Sequence, residues 1–133
     1  MFKSLMKSTA LKSPRDRIIK YVVDILSEKK NEKIRATIPG YDSPQRVIRK
    51  STNETYIPEV TAVKNNQFRI FAVETKETLE KREPEGRWKL FAEFAKQNDA
   101  LFYIVFSAGQ VAIVKNKLEE FNIEANLWQA PRK

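Results

Sequence analysis

Leu101-Phe102-Tyr103-Ile104-Val105-Phe106 is an unbroken apolar run. A half-exposed strand alternates apolar and polar residues, whereas a run like this belongs to a strand buried on both faces, in a sheet covered by helices on each side. The flanking sequence supplies such helices. Arg87 to Asn98 carries Trp88, Leu90, Phe91, Phe94 and Ala95 on or near one face. After Ser107, a candidate cap, Val111, Val114, Leu118 and Phe121 follow helical spacing and Asn122 closes the segment. The run therefore sits between two helices, the pattern of an α/β domain.

The remaining elements follow from local chemistry. Ser13-Pro14-Arg15-Asp16 predicts a helix start, with Ser13 as cap, Pro14 at the first helical position and Asp16 at the positive end of the dipole. Ile18, Ile19, Val22, Val23, Ile25 and Leu26 continue it to Glu28-Lys29-Lys30-Asn31. Lys33 to Ile38 alternates as a strand, and Pro39 to Pro44 breaks it into a loop. Gln45 to Thr55 is a polar, basic stretch with a short apolar Val47-Ile48. Tyr56 to Val63 and Phe68 to Thr75 read as strands joined by a tight turn at Asn65-Asn66, with Pro58 marking an edge, a bulge or a strand start. Glu77 to Gly86 is a charged loop, and Ala125 to Trp128 a last short strand. The expected order is α-β-β-β-α-β-α-β, a central mixed sheet flanked by helices. The 133 residues suit one domain over 14–133, preceded by a basic flexible arm at 1–13.

Composition removes whole classes of chemistry. With no Cys and no His, there is no disulfide scaffold, thiolate nucleophile, imidazole base or Cys/His zinc site. An enzyme built from this chain works with carboxylates, lysines, hydroxyls and a hard metal ion. No window approaches the ~18 apolar residues of a membrane span, and no secretory signal pattern opens the chain. The expectation is a cytoplasmic protein with no membrane partner. Residues 1–50 hold 13 Lys and Arg against 5 Asp and Glu, a net of +8, whereas residues 51–133 hold 12 of each. A one-sided excess suggests a polyanion partner, with a solvated basic face as the plainer explanation.

The candidate chemistry lies at the strand ends. Glu59 follows Pro58, and Glu74-Thr75-Lys76 follows the apolar Phe71-Ala72-Val73. Residues two apart in a strand share a face, so a strand through Thr75 sends Glu74 and Lys76 the same way. An antiparallel neighbour brings Glu59 within reach of Glu74. Two converging carboxylates repel, and a shared Mg²⁺ or Mn²⁺ is their usual resolution. That cation can activate a water and stabilise charge on a phosphate, with Lys76 orienting the water or neutralising the developing charge. Short Glu-x-Lys triplets are common in so charged a chain; Glu28-Lys29-Lys30 is another, at a solvated helix end.

Ile57-Pro58-Glu59-Val60, a hairpin, and then Glu74-Thr75-Lys76 resembles the active-site signature of the PD-(D/E)xK nuclease superfamily, the restriction-endonuclease-like fold that includes archaeal Holliday-junction resolvases. The element order from residue 14 onward is similar to that family's core. The resemblance implies that Glu59, Glu74 and the Thr75 carbonyl hold Mg²⁺ or Mn²⁺, that Lys76 is the catalytic lysine, and that an acid from the first helix assists. Asp16, at the edge of that helix's apolar face, is favoured over Asp24, although capping explains Asp16 equally well. Glu59 departs from the family's usual Asp. Lys89 and Glu93 are more simply an exposed helix face, and Tyr41 packing as much as contact. Lys29, Lys30, Lys33, Arg35, Arg46, Arg49 and Lys50 flank the motif in sequence and suit phosphate contacts. The expected function is a metal-dependent endonuclease acting on DNA. Its alternative is a nuclease-fold DNA-binding subunit that does not cut, and a third reading is a basic interaction domain without nucleic acid. Cutting both strands from one site calls for a homodimer or two visits.

Overall fold

The computed structural model describes residues 13–49, 52–81 and 84–131. In chain order the elements are α1 (Pro14–Glu28), β1 (Glu32–Ala36), β2 (Val47–Arg49), β3 (Glu54–Tyr56), β4 (Val60–Lys64), β5 (Gln67–Glu74), α2 (Lys76–Lys81), α3 (Pro84–Gln97), β6 (Leu101–Phe106), α4 (Val111–Phe121) and β7 (Asn126–Gln129). Five strands form one mixed sheet in the order β1-β4-β5-β6-β7. β1, β4 and β5 are antiparallel neighbours, whereas β5, β6 and β7 run parallel. The chain is thus a mixed α/β domain. Among the described residues no helix is long and apolar enough to cross a membrane.

α1 starts where its cap chemistry predicts, with Ser13 Oγ accepting the Asp16 N–H at 3.0 Å. Its buried stripe of Ile19, Val22, Val23 and Leu26 has i, i+3, i+4, i+7 spacing. The stripe packs on Val60, Ala62, Phe71, Val73 and Val105 of the sheet. The opposite face, with Ile70, Ala72, Ile104 and Phe106, is covered by Leu79, Trp88, Leu90, Phe91 and Val114 of the other three helices. β6 alternates between these two cores, which is why its sequence is apolar throughout. Asn65 and Asn66 both take positive φ in the two-residue turn that pairs Lys64 with Gln67.

Two segments differ from the sequence expectation. The polar stretch after Pro44 contains a small β2–β3 hairpin, with Val47 paired to Tyr56 and buried among the residues of α3. Tyr56 therefore belongs to this hairpin, and Pro58 separates it from β4. The charged stretch after Thr75 is helical from Lys76. Thr75 and Thr78 exchange caps: the Thr78 N–H donates to Thr75 Oγ1 at 3.2 Å and the Thr75 N–H to Thr78 Oγ1 at 2.7 Å. Two hydroxyls that hold backbone donors are enough to end the strand at Glu74. α3 also begins at Pro84 rather than Arg87, since proline is well suited to the first helical position.

Candidate functional site

Glu59 and Glu74 meet at one end of the sheet. Glu74 is the last residue of β5, and Glu59 directly precedes β4. The antiparallel β4–β5 register places Glu59 beside the end of β5, where the Val73 N–H donates to Glu59 Oε1 at 2.8 Å. Ile70, Ala72 and Glu74 alternate toward the face carrying α3. α3 brings Arg87 and Trp88 onto them. Both glutamates are almost wholly buried, at 3% and 0% exposure, and Arg87 is 5% exposed.

Arg87 bridges the pair. Its Nη1 donates to Glu74 Oε2 at 3.0 Å, and its Nη2 donates to Glu59 Oε2 at 3.0 Å and Oε1 at 3.2 Å. Trp88 Nε1 donates to Glu74 Oε2 at 3.1 Å, and Thr78 Oγ1 to Glu74 Oε1 at 2.7 Å. Arg15 Nη1 approaches Glu59 Oε2 at 3.5 Å from the first turn of α1. The Arg87 guanidinium also lies over the Phe91 ring, 5.3 Å from its centroid. Among the described residues, two arginines thus face two carboxylates, and each of the four carboxylate oxygens accepts a hydrogen bond. Burying these charges is tolerable only because they are paired and bonded together.

A divalent cation needs lone pairs that this arrangement commits elsewhere. The oxygens of Glu59 and Glu74 face N–H and O–H donors. The Thr75 carbonyl accepts from the Leu79 N–H at 2.9 Å, and the single Thr78 hydroxyl proton goes to Glu74 Oε1. Among the described residues no three acidic side chains gather to hold one ion. As placed, the residues do not fit a hard metal.

The other predicted residues are placed as follows. Lys76 opens α2 and is exposed, whereas Glu74 is buried, and among the described residues Lys76 forms no ion pair. Asp16 stands in the first turn of α1, and its neighbour Arg15 is the residue that reaches Glu59. Lys29, Lys30 and Lys33 are exposed at the far end of the sheet, where α1 ends and β1 begins. β4 separates that end from Glu59 by roughly 13 Å of strand. Arg35 donates to the Ser43 carbonyl at 3.2 Å. Arg46 is exposed beside β2. Arg49 makes a two-point bond to Glu93, at 3.2 and 3.0 Å, and a salt bridge to Glu54. Hydrogen bonding to Glu93 first, then its charge, raises the Arg49 pKa further above the arginine range. Lys50 and the arm at 1–12 lie outside the described residues.

Sequence reasoning missed Arg87 and Thr78 and assigned Trp88 to the core alone. A usable signal existed for Arg87. It precedes Phe91 by four positions, which puts a cation on the apolar stripe of α3. A buried cation implies a buried acid, and Glu59 and Glu74 were the candidates. No family model, curated protein or solved structure matches this chain.

Proposed function

We propose that this domain binds the phosphate backbone of nucleic acid and does not cleave it through Glu59 and Glu74. The observation that carries this reading is the Arg87 guanidinium, 3.0 Å from an oxygen of each glutamate. It fills the role that a catalytic cation takes in the nuclease reading. It also cancels negative charge that would otherwise repel a phosphate. Arg15 adds to that cancellation. The net charge of +8 then acts with little local opposition, and exposed Lys29, Lys30 and Lys33 offer flexible point charges suited to phosphates. Such contacts give affinity without sequence preference.

The test pairs binding with cleavage. Fluorescence anisotropy of labelled duplex DNA is followed as salt rises, and supercoiled plasmid is incubated with the protein in Mg²⁺, Mn²⁺ or EDTA. The expected result is binding that weakens steeply with salt and plasmid that stays supercoiled in all three. Metal-dependent nicking by the wild type, lost in Glu74→Ala, would overturn the reading in favour of hydrolysis. Failure to bind at low salt would leave the basic interaction domain.

A further inference from the structure

We infer that the α1-side face of β5, β6 and β7 is a contact surface for an unpaired nucleic-acid strand, with Tyr103 and Trp128 meeting bases and Arg69 and Lys64 meeting phosphates. The inference rests on the nucleic-acid reading above and assigns it a place. α1 packs chiefly against β1, β4 and β5. Tyr103 and Trp128, on β6 and β7, are half-buried and project to the same side as Phe71 and Val105. Tyr103 stacks on Phe71 with centroids 4.9 Å apart at 16°, and Trp128 lies edge-on to both Phe71 and Tyr21, at 6.0 and 5.8 Å. The rings are therefore held rigidly by a packed base, as a stacking platform requires.

Charge borders these rings on one side. Arg69, two residues before Phe71, shares its face, and its guanidinium carbon lies 6.0 Å from the Tyr103 centroid. Arg69 is half-buried, and among the described residues its Nε has no hydrogen-bond partner. Arg69 pairs with Ala62, and Lys64 stands two residues beyond Ala62 on the same face. Lys29, Lys30 and Lys33 lie at this same end of the sheet. Aromatic rings bordered by cations are complementary to a strand whose bases are unstacked and whose phosphates are anionic. A duplex keeps its bases stacked inside and gains only the charged part.

The experiment measures a fluorescein-labelled oligothymidylate and a duplex of equal length against wild type, Tyr103→Leu and Arg69→Gln. Leucine keeps an apolar side chain against Phe71, and thermal unfolding checks that each variant folds. Tyr103→Leu is expected to weaken oligothymidylate about tenfold, the scale of one lost base–ring stack, with duplex binding within about twofold of wild type by the same argument. Arg69→Gln is expected to weaken both. Oligothymidylate is also expected to quench tryptophan emission in wild type, and to do so far less in Trp128→Phe, since Trp88 is buried on the opposite side of the sheet. Unchanged oligothymidylate affinity in Tyr103→Leu, with quenching unchanged in Trp128→Phe, overturns this surface while leaving duplex binding standing. Wild type that binds neither probe overturns the nucleic-acid reading itself.

Discussion

Arg87 and Glu74 face each other at 3.0 Å in a place that excludes water, with Glu74 fully buried and Arg87 nearly so. The same guanidinium holds Glu59. Arg87→Ala removes the guanidinium that bridges two buried carboxylates, and the expected loss is about 3–5 kcal/mol of unfolding free energy. The cost comes from the charges left behind, more than from the bond removed. A triple variant that adds Glu59→Gln and Glu74→Gln to Arg87→Met removes those charges and is expected to recover most of the loss. Urea denaturation of the three proteins checks this. A triple variant as unstable as Arg87→Ala would mean that packing of the arginine stem, rather than charge balance, is what holds the site.

Metal response separates a saturated carboxylate pair from an open one. In wild type the Glu59 and Glu74 oxygens already accept from Arg87, Trp88, Thr78 and the Val73 N–H. Millimolar Mn²⁺ is thus expected to leave the unfolding midpoint where EDTA leaves it. In Arg87→Ala the pair loses its bridging charge and attracts a cation more strongly, and Mn²⁺ is expected to raise the midpoint, because a ligand that binds only the folded state stabilises it. A Mn²⁺-dependent rise in wild type that Glu74→Gln removes would show that the pair takes metal with Arg87 present.

Gly86 and Tyr56 make a third test, away from the charges. Gly86 lies in the first turns of α3, and a Cβ added there would come within 2.9 Å of the Tyr56 hydroxyl oxygen. Helix propensity favours Gly86→Ala by up to about 1 kcal/mol. The contact with Tyr56 opposes that gain, so the single substitution is expected to be close to neutral. In a Tyr56→Phe background the obstructing oxygen is gone and the propensity gain should appear. A double-mutant cycle on unfolding free energies reads the coupling, and additive effects would mean the Tyr56 ring moves aside at no cost.

The parts of this fold legible in the sequence are those where one residue type has one physical use. Ser13 followed by Pro14 marks a helix start, Asn65-Asn66 supplies two left-handed positions, and Leu101 to Phe106 cannot be a half-exposed strand. The β2–β3 hairpin was hidden because its three-residue strands carry only Val47 as a buried anchor. The end of β5 was misjudged because Thr75 fits a strand by propensity, and only its exchange of caps with Thr78 makes it a helix start. That single turn sends Lys76 outward. Convergence of Glu59 and Glu74 was legible from the hairpin register. The identity of their counter-charge was not, because Arg87 is 13 and 28 residues away in sequence and meets them only when α3 packs on the sheet.

The lysines at the far end of the sheet give the last prediction. Lys29, Lys30 and Lys33 are exposed, and none of them has an ion-pair partner among the described residues. Each is therefore available to displace a counter-ion from a phosphate, which contributes about 0.9 to the slope of log affinity against log salt. Arg49 has the same formal charge but is engaged by Glu93 and Glu54. A Lys29→Gln, Lys30→Gln, Lys33→Gln variant should then lower the slope for duplex DNA by roughly 2–3, whereas Arg49→Gln should lower it by much less than 1. These four side chains are at least partly solvated, so unfolding free energies should shift little for the lysine variant, by about 0.5 kcal/mol or less. A slope that falls equally for Arg49→Gln and for the triple lysine variant would mean that DNA opens the Arg49–Glu93 pair and lies along α3 instead.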